Sequence, residues 1–79
     1  MISVLFFGPV AERIGKSALQ VEFHHTMSLQ NLRDKLAAQY PQAFEIVCFA
    51  AVNGEHARDM TIALTDGSEV AFMAKFSGG

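Results

Sequence analysis

The amino-acid sequence predicts an α+β fold in which one long helix packs across a mixed sheet of four to five strands. The chain has 79 residues, 51% of them apolar, which suits one domain with a core. Only residues 29–40 carry apolar side chains at helical spacing over several turns. Both ends of the chain are instead rich in β-branched and aromatic residues, which favour strands. One helix can bury one face of a sheet, so a helix layer packed on a sheet layer accommodates all the predicted elements.

Two strands are predicted in the first part of the chain. Residues 2–7 are apolar almost throughout and end at Gly8-Pro9, where proline cannot continue a ladder. Residues 10–14 predict a single helical turn. Residues 18–24 alternate between apolar and polar side chains, which is typical of a strand with one face in solvent. The connection between the two strands is short, so antiparallel pairing is expected.

The long helix is predicted to begin after Ser28 and to end before Pro41. Serine is a good N-cap because its hydroxyl accepts a hydrogen bond from a free backbone N–H of the first turn. Proline disfavours the helical conformation of the residue before it. The side chains expected to face the sheet recur at helical spacing: Leu29, Leu32, Leu36, Ala37 and Tyr40.

The rest of the chain predicts three more strands. The later part of the apolar run 43–52 is expected to form a buried strand, and Asn53-Gly54 is a hairpin signal that leads into a weak strand over residues 55–58. Residues 59–68, an ambiguous segment followed by a turn, lead to a final strand within residues 69–76. Since the first and last strands are both strongly apolar, we expect them to lie side by side and parallel in the centre of the sheet.

Composition and charge exclude several classes of function. The formal net charge is −2 with six lysine and arginine residues, so no basic stripe for nucleic acid is expected. The single cysteine, Cys48, cannot form an internal disulfide, and a reducing, cytoplasmic location is expected. The N-terminal apolar run is short and has no charged leader, which predicts neither a signal peptide nor a membrane span.

Few internal side chains are candidates for chemistry. His24, His25 and His56 have no metal-ligand spacing, so they are expected at the surface, and no bound metal or cofactor is expected. Cys48 lies in an apolar run without a basic neighbour. That setting favours a buried structural cysteine over a nucleophile.

The clearest functional signal is the C-terminal Gly78-Gly79. Two glycines add nothing to a packed fold, but they form the thinnest peptide available and end in a free carboxylate. Counted from Lys75, the tail can extend roughly 17 Å, which is enough to enter a narrow channel of a partner. We therefore predict a domain over residues 1–76 and a flexible tail over residues 77–79. A frayed end without function is the alternative that the spacing alone leaves open.

Several segments together resemble the small, sulfur-carrying subunit of molybdopterin synthase, which belongs to a ubiquitin-related family. They occur in the same order and span essentially the whole chain: Met1-Ile-Ser-Val-Leu-Phe-Phe-Gly, Leu29-x-x-Leu-Arg33, Ala50-Ala-Val-Asn53, Leu64-Thr-Asp-Gly-Ser-Glu-Val-Ala-Phe72 and the terminal Ser77-Gly-Gly. The resemblance implies the ubiquitin-like β-grasp fold, which agrees with the predicted order of elements.

The resemblance also implies a mechanism and partners. A ubiquitin-activating-like adenylyltransferase would use ATP and Mg²⁺ to adenylate the Gly79 carboxylate, and a sulfur donor protein would convert it to a thiocarboxylate. The tail would insert into the large subunit of molybdopterin synthase and give its sulfur to a cyclic pyranopterin, in a heterotetramer of two small subunits with a dimer of the large one. Alone, the chain is expected to have no turnover. The tail residues that would insert are Ser77, Gly78 and Gly79, and the docking candidates are Phe6, Phe72, Lys75 and Phe76. For Phe6 and Phe72 the usual burial of phenylalanine favours a place in the core over docking.

The tail differs from the family pattern in one respect that concerns the partner. The family commonly carries two prolines in the approach to the glycines, whereas this chain has Ala74-Lys75-Phe76. Proline stiffens a tether, so its absence loosens the approach. Other functions therefore stay open: a sulfur carrier for thiamine or another pathway, a ubiquitin-like protein modifier, or a non-covalent interaction module.

Overall fold

The structure, a computed structural model, describes residues 1–75 of the chain. These residues contain five strands and three helices, in this order: β1 (Ile2–Phe6), α1 (Gly8–Ile14), β2 (Ala18–Val21), α2 (Leu29–Gln39), α3 (Pro41–Phe44), β3 (Val47–Val52), β4 (Glu55–Ala57) and β5 (Glu69–Ala74). The predicted boundary between domain and tail, at residues 76 and 77, lies outside the described residues.

The strands form one mixed sheet in the order β2-β1-β5-β3-β4. The first and last strands, β1 and β5, are parallel neighbours, with Val4 opposite Val70 and Phe6 opposite Phe72. The other neighbouring strands are antiparallel. This confirms the prediction that the two apolar ends of the chain meet in the centre of the sheet. Strand β5 is consequently hydrogen-bonded on both sides, by β1 and by β3.

The long helix α2 begins where it was predicted to begin. The Ser28 hydroxyl accepts a hydrogen bond from the Asn31 backbone N–H at 3.1 Å, and the Asn31 side chain accepts one from the Ser28 backbone N–H at 3.0 Å. This reciprocal capping box satisfies two N–H groups that the helix itself cannot pair. The predicted stripe faces the core, with three leucines fully buried and two residues half-buried: Leu29, Leu32, Leu36, Ala37 and Tyr40.

The core lies between α2 and one face of the sheet. An aromatic cluster occupies part of it: the Phe44 ring lies edge-on to two others, with its centroid 6.5 Å from that of Phe6 and 5.1 Å from that of Phe72. Phe6 and Phe72 stack with their centroids 6.4 Å apart. Rings at these separations contribute packing energy beyond simple burial. Every second residue of β1 and β5 points into this core, and the residues between them face the other side of the sheet.

The hairpin predicted at Asn53-Gly54 joins β3 to β4. Both turn residues have positive φ, 51° for Asn53 and 83° for Gly54. This is the backbone geometry whose twist matches that of two antiparallel strands. The weak return strand is confirmed as β4, a three-residue strand at the edge of the sheet.

The segment of residues 59–64, ambiguous in the sequence, is tied to the start of α2. The backbone N–H of Leu29 donates to the Ile62 carbonyl at 3.0 Å, and that of Gln30 donates to the Met60 carbonyl at 2.8 Å. Two N–H groups at the N-terminus of α2 thereby find partners. The segment is therefore held against the helix, although it has no regular structure of its own beyond one isolated bridge.

Most predicted boundaries agree to within one or two residues, but three features differ more. Strand β2 ends at Val21 rather than at residue 24, α1 has seven residues rather than one turn, and a short helix α3 follows directly on Pro41. Proline suits the first position of a helix, because the N–H that it lacks would have no partner there. Pro41 therefore ends α2 and also begins α3.

Candidate functional site

The chain leaves the sheet at the C-terminal end of its central strand. Strand β5 ends at Ala74, which is buried, and the exposed Lys75 follows. The predicted tail and docking residues beyond it lie outside the described residues: Phe76, Ser77, Gly78 and Gly79. The structure does show the base of the tail, where a strand paired on both sides positions Lys75.

Two of the predicted docking residues lie in the core instead. Phe6 is 1% exposed and Phe72 is 0% exposed. The two residues are opposite each other on neighbouring strands, and both rings belong to the aromatic cluster under the helix. The core position that the sequence favoured for both rings is the one observed, and docking through them is ruled out, because a side chain buried in the core offers no surface to a partner. Lys75 is exposed, and its docking role stays a prediction.

An apolar patch occupies part of the opposite face of the sheet, and no signal in the sequence had predicted it. We call it the open-face patch, and it consists of Leu5, Phe7, Phe49, Ala71 and Met73. Leu5 lies opposite Ala71, and Phe49 lies opposite Met73. Phe7 follows the last residue of β1 in an extended conformation, with φ −124° and ψ 149°, so strand alternation places it on the same face as Leu5.

Two aromatic rings make the open-face patch a candidate binding surface. Phe7 is 45% exposed and Phe49 is 39% exposed, more than any other phenylalanine of residues 1–75. A contiguous apolar patch on a small soluble domain commonly marks an interface. The patch reaches Met73, which directly precedes the last residue of β5. It therefore lies at the same end of the sheet as the base of the tail.

Cys48 is exposed, so the prediction of a buried cysteine is wrong. Val47 lies opposite Ala74, and Phe49 lies opposite Met73. The two β3 residues are separated by Cys48, whereas their partners in β5 are adjacent. Cys48 is the extra residue of this β-bulge. A bulge changes the direction of the side chains beside it. This explains why the strict alternation of an ideal strand does not hold along β3.

A hollow of 350 Å³ lies beside the base of the tail. It is lined by Pro9, Arg13, Ile46, Cys48, Ala74 and Lys75. The Arg13 guanidinium is oriented by α3, since it donates a hydrogen bond to the Gln42 carbonyl at 2.8 Å and lies 3.6 Å from the Glu45 carboxylate. Two positively charged side chains, Arg13 and Lys75, thus flank the point at which the chain leaves the sheet.

The other titratable side chains of residues 1–75 form no metal cluster. His24, His25 and His56 are exposed, as predicted, and no group of three histidine, cysteine, aspartate or glutamate side chains in this range could hold a metal ion. Hydrogen bonds from Thr61 lower the pKa of the exposed Asp59 carboxyl. None of the helices in this range is long and apolar enough to cross a membrane.

The chain is similar in structure to several solved proteins. SAMP1 from Haloferax volcanii is 22% identical, with a TM-score of 0.83 over 99% of this chain and 98% of that one. A putative molybdopterin converting factor, subunit 1, from Pyrococcus furiosus is 18% identical, with a TM-score of 0.83 over 95% and 97% of the two chains. The protein–protein complex of subunits 1 and 2 of the molybdopterin-converting factor from Helicobacter pylori contains a chain that is 22% identical, with a TM-score of 0.68 over 99% and 97%. These likenesses establish the fold and confirm the predicted ubiquitin-like β-grasp.

Sequence comparison identifies the family. No curated protein matches the chain by sequence. The model of the ThiS family, in contrast, matches residues 4–79, which is nearly the whole chain and includes its two terminal glycines. The sequence motifs described above resemble those of ubiquitin-related sulfur carriers, and the family match agrees with this resemblance. The chain therefore belongs to the ThiS family.

Proposed function

We propose that this chain is the sulfur carrier subunit of a molybdopterin synthase. The observation that carries the proposal is the family match, which runs to residue 79 and so includes the Gly78-Gly79 end on which a carrier depends. The structural likeness to subunit 1 of molybdopterin-converting factors from two organisms supports this pathway. The Gly79 carboxylate is then the reactive group, and the folded domain presents it to two different enzymes.

The carboxylate needs activation before it can carry sulfur. An α-carboxyl group is ionised at neutral pH and is a poor electrophile. A ubiquitin-activating-like adenylyltransferase joins it to the AMP part of ATP with the help of Mg²⁺ and releases pyrophosphate. A sulfur donor protein then supplies sulfur at the oxidation level of sulfide, which attacks the acyl carbon, displaces AMP and leaves a thiocarboxylate. In the synthase this sulfur passes to cyclic pyranopterin monophosphate, and water restores the carboxylate of Gly79.

The open-face patch is the surface on which we place the large synthase subunit. Its exposed rings, Phe7 and Phe49, form an apolar centre, and Arg13 and Lys75 add positive charge at the end where the tail begins. An apolar centre with a polar rim is the usual composition of a protein interface. The Helicobacter pylori complex of subunits 1 and 2 supports a partner of this kind. Docking through the patch would hold the tail at the entrance of the partner's active site.

A second candidate function is that of a protein modifier. It is favoured by the structural likeness to small archaeal modifier protein 1 from Haloferax volcanii. Both functions begin with the same adenylated Gly79. They differ in the nucleophile that displaces AMP, which is a sulfur donor in a carrier and ultimately a lysine amine of a target protein in a modifier.

Mass spectrometry of the intact chain tests the proposal. The chain is incubated with ATP, Mg²⁺, an activating enzyme and a sulfur donor, and its mass should increase by the exchange of one oxygen for sulfur. Fragmentation should place the sulfur on Gly79. Addition of the large subunit with cyclic pyranopterin monophosphate should return the mass to its starting value and produce molybdopterin.

Two variants complete this experiment. Deletion of Gly79 should prevent the mass change while the far-ultraviolet circular dichroism spectrum stays the same, and the exposed helix variant Gln39→Ala should behave as the unaltered chain. Sulfur on Gly79 that never transfers to the pyranopterin would overturn the assigned pathway. Conjugates linking Gly79 to lysines, without any thiocarboxylate, would favour the modifier.

A further inference from the structure

A second concave surface lies between the start of α2 and strands β3 and β4, and it shares Cys48 with the hollow beside the base of the tail. We call it the arginine groove. It encloses 560 Å³. Arg33 on α2, Arg58 after β4 and His56 line it. Its apolar lining includes Val47, Phe49, Ala57 and Met60, so the groove shares Phe49 with the open-face patch.

The arginine groove is positively charged although the chain as a whole has a formal charge of −2. None of the residues that line it is an aspartate or glutamate. The ion pairs found among residues 1–75 join Met1 to Asp66 and Arg13 to Glu45, so Arg33 and Arg58 have no carboxylate partner in that range. The acidic residues in and just after β4, Glu55 and Asp59, line an adjoining hollow, which Arg58 and His56 also border. A concave surface of one charge sign raises the local concentration of the opposite charge.

Local contacts hold the groove open in the free chain. The Arg33 guanidinium lies 5.9 Å from the centroid of the Phe44 ring, a separation at which cation and ring attract each other. The hydrogen bond from Gln30 N–H to the Met60 carbonyl, 2.8 Å long, fixes the far wall to the helix. These two contacts position Arg33 and the Met60 wall of the groove in the free chain.

We propose that the arginine groove binds an extended acidic segment of a partner protein, with an apolar side chain on its floor and carboxylates on Arg33 and Arg58. Guanidinium groups bind carboxylates through two parallel hydrogen bonds. Arg58 and His56 are exposed at the rim, whereas a small-molecule site buries most of its ligand around enclosed polar groups. An arginine rim around methionine and aromatic side chains is instead the composition of a protein interface. This inference does not depend on sulfur transfer.

The test is a titration of the full chain with a blocked peptide in which one leucine stands between two pairs of glutamates. Backbone amide shifts in two-dimensional NMR should move for residues that line the groove. The same peptide with glutamine in place of glutamate should bind much more weakly. The double variant Arg33→Gln/Arg58→Gln should bind the acidic peptide about fivefold more weakly, as expected for the loss of two exposed ion pairs.

A matched control removes the same charge elsewhere. Lys16→Gln/Lys35→Gln takes two positive charges from the hollow between β2 and α2, at the opposite edge of the sheet from β4, and should leave peptide binding unchanged. The conservative double variant Arg33→Lys/Arg58→Lys keeps the charge. Its affinity for the peptide should lie between those of the unaltered chain and the glutamine double variant, since lysine lacks the paired donors of arginine. The proposal is overturned if the acidic peptide fails to bind, or if the arginine and the lysine double variants to glutamine weaken peptide binding equally. It is also overturned if inorganic phosphate binds the groove as tightly as the peptide does.

Discussion

Truncation of the two exposed rings of the open-face patch tests whether this patch is the docking surface. Phe7 is 45% exposed and Phe49 is 39% exposed. A whole phenylalanine offers about 200 Å², so roughly 90 and 80 Å² are left for a partner to cover. At about 25 cal/mol per Å², each ring can contribute up to about 2 kcal/mol to binding.

Because association has costs of its own, we expect about half of this value in the measured affinity. Phe7→Ala and Phe49→Ala should each raise the Kd for the large synthase subunit about fivefold, and the double variant about 25-fold if the two effects add. Isothermal titration calorimetry measures these values. The free energy of unfolding should fall by no more than about 1 kcal/mol per ring. It is followed by circular dichroism in urea, since the chain has no tryptophan.

Phe23→Ala is the matched control for this experiment. Phe23 is a phenylalanine that is partly buried, and it lies beyond Val21, which pairs with Ile2 at the opposite end of β1. Its truncation should leave the Kd unchanged. The docking surface is wrongly assigned if the double variant binds normally, or if Phe23→Ala weakens binding to the same extent.

Three further predictions concern the fold. Phe72→Ala removes a fully buried ring from the aromatic cluster and should cost about 3–5 kcal/mol in urea unfolding, far more than either exposed ring. Ser28→Ala removes one half of the capping box and should cost about 1 kcal/mol, whereas Ser28→Asp should retain most of the stability. The pKa of Asp59 is lowered in the folded chain. The ionised carboxylate therefore stabilises the fold above the pKa of the unfolded chain, and this effect is lost as the pH falls through the folded pKa. The difference in the free energy of unfolding between Asp59→Asn and the unaltered chain should accordingly shrink below about pH 4.

The fold could be predicted from the sequence because its signals are local and agree with one another. Ser28 and Pro41 mark the ends of the only long helical stripe, and Asn53-Gly54 supplies the positive φ values that a two-residue hairpin requires. The parallel central pair follows from the two apolar ends of the chain. The short helix α3 was missed, since a proline that ends one helix gives no sign that it also begins the next.

The candidate site was harder to predict because it depends on which face of the sheet the helix covers. Phe6 and Phe7 are adjacent in a continuous apolar run, and the sequence does not show which of them points inward. Once Phe6 is known to be buried, alternation alone places Phe7 on the open face. Cys48 and Phe49 are different, since the bulge in β3 changes the register and has no glycine to mark it.

Docking is assigned to the open-face patch and sulfur transfer to Gly79. Defects in the two functions should therefore respond differently when the concentration of the large subunit is raised. The double variant of Phe7 and Phe49 keeps Gly79 and only raises the Kd, so its rate of sulfur transfer should recover when the large subunit exceeds the new Kd. Deletion of Gly79 leaves the open-face patch intact, because β5 is paired with β1 as far as Phe72 and with β3 as far as Ala74. That variant should still bind the large subunit and should give no product at any concentration. If it instead lost most of its binding, the tail would provide the affinity and the patch would be secondary.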